Sequence, residues 1–394
     1  MQTVILAAGQ GTRMRPLTDR RPKPMLPVAG QPLVAHTAER AIEAGASRLV
    51  FVVGYEATAV REYFGSTFHG VPVEYATQTD QRGTADAVRV GAERLDEGPF
   101  AVLNGDNLYD IESLSALYDS GPSVGTVRVD DPSAYGVLDT DGETVSGVVE
   151  KPDDPPSNQI NTGAYVFPAE ATGWLDVGES ERGELELTDV LNRACTTVDV
   201  SAISMGRWLD VGRPWELLEA NEWLLGTLDR DLAGDVADDA DIRGDVVVED
   251  GATVEPGVVI DGPTLISEGA TVGPNAYVRG STLVGESVSV GHGVEVKNSV
   301  LMDGTNVSHL SYVGDSVLGR GVNFGAGTTV ANLRHDDEPV ALTVKGDRVS
   351  TGRRKFGVVC GDAAKTGINT SLNAGVTLST AAVTDPGAVV LRDQ

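Results

Sequence analysis

The chain has 394 residues, 41% of them hydrophobic, and its 58 acidic and 30 basic side chains give a formal net charge of −28. This length predicts two or three domains with packed cores, and the diffuse acidity argues against a nucleic-acid binder, which needs a basic face. No run approaches ~18 uncharged apolar residues, and no charged-then-apolar leader precedes the first strand, so we expect neither a membrane span nor export.

The acidic residues are spread along the chain instead of forming a tail. Surface carboxylates hold water at high salt, and ions screen their mutual repulsion. Cys195 and Cys360 lie far apart in the sequence, which suits reduced thiols in a cytoplasm and gives no metal-site spacing. We therefore predict a cytoplasmic protein of a halophilic cell.

The acidic composition predicts that folding of the chain depends on salt concentration. We expect the chain to lose folded structure in dilute buffer and to regain it in molar KCl, because unscreened carboxylates repel one another. Circular dichroism during refolding measures this, and full stability in low salt would contradict it.

The first motif, LAAGQGTRMRPLTDRRPKPMLPV, follows the apolar run Val4–Leu6, which we interpret as a strand. Its small residues allow a sharp turn with exposed N–H groups, and the cations that follow, among them Arg13 and Lys23, suit a polyphosphate. Met14 rules out G-x-G-x-x-G, and no Gly-Lys-Ser/Thr follows, so a plain tight turn is the alternative. Before Lys297 the only lysines are Lys23 and Lys151, each preceding a proline, which indicates a need for a compact ammonium group.

Strands and helices then alternate, which predicts a mostly parallel, doubly wound sheet with ligands at the carboxyl ends of its strands. The predicted strands are Thr3–Leu6, Arg48–Val53, Val73–Ala76, Phe100–Leu103 and Ser123–Val129. The predicted helices are Pro32–Ala44, Ala57–Phe64, Thr84–Leu95, Leu187–Val198 and Trp215–Leu228, the last closing the domain.

Polar motifs follow several of these strands. Gln78 can read a base edge. The simpler interpretation of this motif is that Thr84 caps the helix that follows. Asp106 and Asp210 each follow an apolar run and are natural Mg²⁺ ligands beside a phosphate; for a lone Asp the alternative is a loop cap. The pairs Glu150-Lys151 and Asn161-Thr162 supply groups that a sugar's hydroxyls require.

A six-residue period begins near Asp229, where the composition becomes acid-rich. A helix cannot keep such positions on one face, but a left-handed parallel β-helix can. We predict a domain over residues 1–228, an acidic connection and first coil over 229–245, and the β-helix over 246–394. The periodic positions are Val236, Ile242, Val248, Val254, Ile260, Ile266, Val272, Val278, Val284, Val290, Val296 and Met302.

Two breaks in the period are expected, at Asn306–Tyr312 and at Ala331–Arg348, the second as an inserted loop. His309 lies in the first break. Its imidazole can serve as a general base near neutral pH, or it is an ordinary exposed histidine.

These motifs resemble the archaeal bifunctional sugar-1-phosphate nucleotidylyltransferase/acetyltransferase family, which is similar in layout to bacterial UDP-N-acetylglucosamine pyrophosphorylase. LAAGQGTRMRPLT with PKP is highly specific, and NVSHLSYVGD resembles the acetyltransferase segment. The resemblance covers essentially the whole chain and implies a Mg²⁺-dependent enzyme of nucleotide-sugar biosynthesis, acetyl-CoA as a possible second substrate, and a trimer formed through the β-helix.

The same resemblance implies residue roles. Arg13 and Lys23 would be catalytic in nucleotidyl transfer and His309 in acetyl transfer, while Asp106 and Asp210 would bind Mg²⁺. The implied nucleotide-binding residues are Leu6, Ala8, Gly9, Gly11, Thr12, Gln78, Gly83 and Thr84. The implied sugar-phosphate-binding residues are Tyr135, Gly136, Glu150, Lys151, Asn161, Thr162, Tyr312 and Asn332.

The chain departs from the family pattern where lysines for CoA would be expected, since it carries His335, Asp336, Asp337 and Glu338 there. Cations for CoA would then come from Lys345, Arg348, Arg353 or Arg354. Two other functions stay open: a monofunctional glucose-1-phosphate thymidylyltransferase or uridylyltransferase with a structural β-helix, and a non-catalytic subunit like those of the eukaryotic initiation-factor exchange complex.

Overall fold

A computed structural model describes residues 1–394. The chain divides into two compact units that interleave in sequence. The first unit contains Met1–Gln10, Pro22–Met25 and Pro32–Asp210, and the second contains Gly11–Arg21, Leu26–Gln31 and Val211–Gln394. The domain boundaries at 228 and 245 stay predictions.

The elements before the solenoid are short strands and helices in the predicted alternation. The strands are β1 (Gln2–Ala7), β2 (Pro27–Val28), β3 (Gln31–Pro32), β4 (Arg48–Val53), β5 (Thr67–Phe68), β6 (Val71–Thr77), β7 (Phe100–Asn104), β8 (Asn107–Tyr109), β9 (Ser123–Arg128), β10 (Gly136–Asp141), β11 (Thr144–Glu150), β12 (Gln159–Phe167), β13 (Ser201–Ser204) and β14 (Trp208–Asp210). The α-helices are α1 (Leu33–Glu43), α2 (Ala57–Phe64), α3 (Thr84–Ala92), α4 (Ile111–Asp119), α5 (Leu187–Thr197) and α6 (Pro214–Leu225). Single-turn or short 3₁₀ helices occupy Thr12–Met14, Lys23–Met25 and Ala169–Trp174.

The main sheet of the first unit has ten strands in the order β10-β11-β13-β9-β12-β7-β1-β4-β6-β5. Its centre, β7-β1-β4-β6, is parallel as predicted. The other half is mixed, because β12 runs antiparallel to both β7 and β9 and β10 runs antiparallel to β11. The prediction of a mostly parallel sheet therefore holds for the central strands and for the β9–β13 pair, and not for the other pairs.

Burial explains why these segments form these elements. After Arg48, the strand β4 is a run of five apolar residues with no exposed surface, as a strand covered on both faces requires. In α1 the buried Val34, Ala38 and Ala41 recur at helical spacing and face the sheet. The helix stops where Gly45 takes a positive φ of 102°.

The second unit contains the predicted left-handed parallel β-helix, with three stacked sheets of short strands. One face comprises β15 (Asp231–Leu232), β18 (Val246–Val248), β21 (Thr264–Ile266), β24 (Thr282–Val284), β27 (Val300–Leu301), β30 (Val317–Leu318), β35 (Val359–Cys360) and β38 (Thr377–Leu378). The second comprises β16 (Asp235–Val236), β19 (Thr253–Val254), β22 (Thr271–Val272), β25 (Ser289–Val290), β28 (Asn306–Val307), β31 (Asn323–Phe324) and β36 (Lys365–Thr366). The third comprises β17 (Asp241–Arg243), β20 (Val259–Asp261), β23 (Tyr277–Arg279), β26 (Glu295–Lys297), β29 (Tyr312–Gly314), β32 (Thr329–Val330), β37 (Ser371–Leu372) and β39 (Val389–Val390).

The six-residue positions from Val236 to Val296 all contribute to the solenoid core, as predicted. The register then shortens, because the next stacked residue is Leu301, five residues after Val296, and not Met302. A second five-residue step separates Val313 from Leu318. The predicted slip at Asn306–Tyr312 was therefore misplaced: those residues form regular strands between the two short steps.

The predicted insertion lies between β32 and β35. It contains a hairpin of β33 (Ala341–Val344) and β34 (Asp347–Ser350), where the sequence indicated only a loop. Both cysteines are unpaired thiols, and burial raises the pKa of each. None of the helices combines the length and the apolar character needed to cross a bilayer.

Candidate active sites

The carboxyl ends of the central strands lie at one edge of the sheet, where the glycine turn follows β1. A Cβ on Gly54 would lie 3.0 Å from the carbonyl oxygen of Ala8 and 3.2 Å from that of Gln78, so these three backbones are in close contact. On the other side, the N–H of Gly105 donates to the carbonyl of Leu6 at 2.9 Å. Gly9 is exposed at this edge, which leaves its backbone accessible to a phosphate.

Lys23 and Asp106 form a short ion pair at this edge. The Lys23 Nζ lies 2.6 Å from Asp106 Oδ2, with Lys23 only 6% exposed and the side chain of Asp106 33% exposed. Asp106 occupies the turn between β7 and β8, and Asp210 is the strand partner of the next residue, Asn107. The fold thus gathers three residues that are far apart in the sequence.

The donor set fits a magnesium ion that completes its shell with phosphate oxygens. No group of three or more His, Cys, Asp or Glu side chains is arranged to hold a metal without other ligands. Mg²⁺ commonly takes only one or two carboxylates plus phosphates and waters. Asp106, with an accessible carboxylate, and the neighbouring Asp210 can supply those two ligands.

The segment after β6 is held by internal hydrogen bonds. The amide nitrogen of buried Gln78 donates to Gly83 O at 3.1 Å and to Asp86 Oδ2 at 3.0 Å. Burial alone would raise the pKa of Asp86, but hydrogen bonds from Gln78 and Arg89 hold it below its ordinary value. A base contact by Gln78 would therefore have to use its carbonyl oxygen.

Gly83 occupies a position that admits no side chain. It has φ 128°, and a Cβ there would lie 2.3 Å from the carbonyl oxygen of Leu185. The expectation that Thr84 caps α3 was wrong, because Gly83 stands at the N-cap and the Thr84 hydroxyl instead accepts from Leu187 N at 2.9 Å. Gly83 and Thr84 thus join the start of α3 to the start of α5.

Most of the predicted sugar-phosphate residues lie together at the other half of the sheet. A Cβ on Gly136 would lie 2.9 Å from Asn161 Nδ2 and 3.0 Å from Glu150 Oε2, so the absence of a side chain leaves room for these groups. Lys151 Nζ lies 3.4 Å from Glu150 Oε1. Tyr135, whose carbonyl accepts from Lys151 N at 2.9 Å, packs edge-on against Trp208.

Sequence reasoning missed Arg182 in this group. Its Nη1 lies 3.3 Å from Glu150 Oε1 and 3.3 Å from Glu186 Oε1. The available signal was a lone arginine within the acidic run Glu179–Glu186.

Thr162 does not suit the predicted sugar contact. The residue is 1% exposed, and its hydroxyl oxygen is buried without a hydrogen-bond partner. Its carbonyl accepts from Asn107 Nδ2 at 2.7 Å and from Trp208 Nε1 at 3.0 Å. Thr162 therefore stabilises the turn beside Asp106 through its backbone.

Gly11, Thr12 and Arg13 belong to the second unit. Gly11 has φ 63°, and its carbonyl accepts from the Thr18 hydroxyl and from Met14 N, both at 2.9 Å. Arg13 is exposed. A Cβ on Gly212 would lie 3.0 Å from its Nη2. The role of Arg13 towards a phosphate stays a prediction from the sequence.

A second polar cluster lies on the solenoid. The buried Asp315 accepts from Lys297 Nζ at 2.7 Å and from Asn332 Nδ2 at 2.5 Å, and Asn332 also donates to the Tyr312 hydroxyl at 3.1 Å. The two predicted sugar contacts, Tyr312 and Asn332, are thus adjacent. His309 is exposed in the corner before β29, and its carbonyl accepts from Gly327 N at 2.9 Å.

Local partners engage several of the charges on the insertion. A hydrogen bond from Arg334 lowers the pKa of Asp336 to about 2, and Arg354 pairs with Asp337 at 2.6 Å. Of the other cations suggested for CoA, Arg353 pairs with Glu222 and Arg348 donates to backbone carbonyls. Lys345 is exposed at the turn of the β33–β34 hairpin.

Comparison with known proteins shows what each half of the chain is similar to. Residues 2–226 match the nucleotidyl transferase family model, and residues 260–386 match the GMPPB C-terminal domain model. The chain is 40% identical to the bifunctional sugar-1-phosphate nucleotidylyltransferase/acetyltransferase of Sulfurisphaera tokodaii, over 100% of this chain and 98% of that one. It is 38% identical to the UTP–glucose-1-phosphate uridylyltransferase AglF of Haloferax volcanii, over 57% of this chain and 96% of that one. A solved UDP-glucose pyrophosphorylase in complex with UDP-glucose aligns with TM-score 0.51 and 26% identity, over 56% of this chain and 96% of that one.

The family match over residues 2–226, which contain the mixed α/β sheet, shows that the chain is a nucleotidyltransferase. More specifically, the chain belongs to the bifunctional sugar-1-phosphate nucleotidylyltransferase/acetyltransferase family and is an enzyme of that family.

Proposed function

We propose that the first activity transfers a nucleotidyl group from UTP or dTTP to N-acetylglucosamine-1-phosphate or glucose-1-phosphate and releases pyrophosphate. The observation that carries this proposal is the 2.6 Å contact between Lys23 Nζ and Asp106 Oδ2, with Asp210 opposite Asn107 on the paired strand. A cation paired with one carboxylate, with a second carboxylate on the neighbouring strand, suits a triphosphate that carries a metal ion.

The reaction requires little from the protein beyond positioning and charge. An oxygen of the sugar phosphate attacks the α-phosphorus, a new P–O bond forms, and the bond to the departing pyrophosphate breaks. The nucleophile is already ionised, so no general base is needed. Lys23 would neutralise charge on the α-phosphoryl group, and Arg13 would hold the phosphates. Glu150, Lys151 and their neighbours would orient the sugar phosphate.

Magnesium would be held by Asp106 and Asp210 together with phosphate oxygens. When bound, it neutralises phosphate charge and polarises the phosphoryl group. Lys23, paired with one of these carboxylates, would keep the carboxylate oriented before the nucleotide arrives.

A substrate panel tests the proposal. UTP and dTTP would each be offered with N-acetylglucosamine-1-phosphate and with glucose-1-phosphate, in molar KCl with Mg²⁺. A missing methyl group on a base is worth only about 1–3 kcal/mol, so a direct comparison of the rates is needed to rank the four pairs. The panel supplies that comparison. Pyrophosphate release with none of the four pairs would overturn the proposal.

The proposed metal ligands can be tested through the Mg²⁺ requirement of the reaction. We expect Asp106→Asn to raise the Mg²⁺ concentration for half-maximal rate at least tenfold, because changes around a metal site typically cost about 10–100-fold in affinity. Asp210→Asn should shift the same requirement. Mg²⁺ titrations of pyrophosphate release measure both, with the exposed Asp119→Asn as a matched control in the same unit. An unchanged Mg²⁺ requirement in both site variants would remove the two residues from the metal site.

We further propose that the solenoid acetylates glucosamine-1-phosphate from acetyl-CoA. The neighbouring Tyr312 and Asn332 support a sugar site, and the exposed His309 would take the proton as the amine attacks the thioester and CoA leaves as a thiol. We also propose that the enzyme is cytoplasmic and that three copies assemble through the β-helix. A thiol-release assay with glucosamine-1-phosphate tests the chemistry, and the mass in solution tests the trimer.

A further inference from the structure

The segment Gly11–Arg21, which carries Arg13, belongs to the same compact unit as the solenoid. It follows the glycine turn after β1 in the sequence and is part of the motif proposed to bind the triphosphate. Three contacts join it to the solenoid: a hydrogen bond, an ion pair and a close steric approach.

The first contact joins residues more than 360 positions apart. The Thr380 hydroxyl, beyond β38, donates to Asp19 Oδ2 at 2.8 Å. Asp19 Oδ1 lies 3.5 Å from Arg15 Nε on the segment itself. Asp19 therefore links the solenoid to a cation two residues from Arg13.

The second contact is electrostatic. Arg21 is buried, with 8% of its surface exposed, and its Nη2 lies 3.9 Å from Asp303 Oδ2 on the solenoid. Burial and the nearby Arg320 lower the pKa of Arg21, while Asp303 and Asp362 oppose that shift. The guanidinium group of Arg21 therefore lies near charged side chains from three coils of the solenoid.

The third contact is steric. A Cβ on Gly361 would lie 2.8 Å from Pro16 Cβ, so only a glycine lets the segment approach the coil this closely. Inside the segment, the bond from the Thr18 hydroxyl to the Gly11 carbonyl at 2.9 Å closes a loop. Displacement of the docked end would therefore be transmitted to Gly11 and to the neighbouring Arg13.

We propose that the solenoid positions the triphosphate-binding segment, with Asp19, Arg21, Asp303 and Thr380 acting as positioning residues for nucleotidyl transfer. The inference rests on the proposed nucleotidyl transfer. The solenoid then has a role in the first activity in addition to acetyl transfer and assembly. Loss of these contacts should weaken binding of the nucleoside triphosphate alone, because the residues proposed to bind the sugar phosphate for nucleotidyl transfer lie in the other unit.

The test uses the full-length Asp303→Asn/Thr380→Val double variant, which removes one charge and one hydroxyl with little change in shape. We expect the KM for the nucleoside triphosphate to rise about tenfold, the combined effect of two such contacts. The KM for the sugar-1-phosphate and kcat should stay within about twofold of wild type, as expected when only one ligand loses contacts. The melting temperature should stay close to that of wild type.

Two variants serve as controls. Asp250→Asn changes the same kind of charge three coils earlier on the same face and should leave the KM values unchanged. Asp303→Asn/Thr380→Ser keeps the hydroxyl and should recover part of the lost affinity. Equal KM values for the triphosphate in wild type and double variant would overturn the inference, as would equal rises for both substrates. Failure of the proposed function differs, because the wild type itself would then release no pyrophosphate.

Discussion

The Lys23→Ala variant is expected to lose about 10²–10³-fold in kcat for nucleotidyl transfer, the effect of removing one preorganised donor to a developing charge, roughly 2.7–4 kcal/mol in the barrier. The ammonium group of Lys23 is the buried cation nearest Asp106, and no water molecule would restore a fixed charge there. Steady-state pyrophosphate release measures the effect.

The fold should survive this substitution. Asp106 is one-third exposed, so its carboxylate can be hydrated when the lysine is removed. Near-ultraviolet circular dichroism would establish that the variant is folded, and Lys365→Ala, an exposed lysine on the solenoid, is the matched control. Near-normal turnover by folded Lys23→Ala would refute the assigned role.

The His309→Ala variant should lower acetyl transfer by about 10²–10⁴-fold, the typical contribution of a general base, while nucleotidyl transfer continues at the wild-type rate. The separation is expected because His309 is exposed on the solenoid, whereas Lys23 and Asp106 belong to the other unit. Thiol release from acetyl-CoA with glucosamine-1-phosphate measures the loss.

A control variant accompanies the His309 experiment. His69→Ala removes another exposed histidine, one that contacts Glu39 in the first unit, and should affect neither activity. Acetyl transfer that survives His309→Ala would remove His309 from the mechanism.

Periodic and local signals were sufficient to predict much of the fold. The six-residue spacing from Val236 to Val296 predicted the solenoid, because only stacked coils keep such positions on one face. The strand β4 and the helix α2 begin and end at the predicted residues, since apolar runs and helical spacing mark them directly. Asp106 and Asp210 were predicted as metal ligands because each follows an apolar run; the structure pairs Asp210 with Asn107, the residue after Asp106, and the ligand role stays a prediction.

Long-range packing produced the features that the sequence did not predict. Antiparallel pairing of β12 has no local signature, because an apolar run is compatible with either direction. The five-residue step to Leu301 was hidden by an apolar neighbour, Met302, that fits the six-residue spacing equally well. Thr162 is polar in sequence but buried by its neighbours, and Arg182 joins Glu150 only through folding.

One measurement tests direct nucleotidyl transfer and separates this enzyme from a non-catalytic subunit. Wild-type protein in molar KCl would be given a nucleoside triphosphate, a sugar-1-phosphate and Mg²⁺, and pyrophosphate and nucleotide-sugar would be quantified together. We predict that the two products form in equal amounts and that omission of the sugar-1-phosphate or of Mg²⁺ abolishes both. Pyrophosphate released at the same rate without the sugar-1-phosphate, or no product from the complete mixture, would contradict direct transfer at the Lys23–Asp106 site.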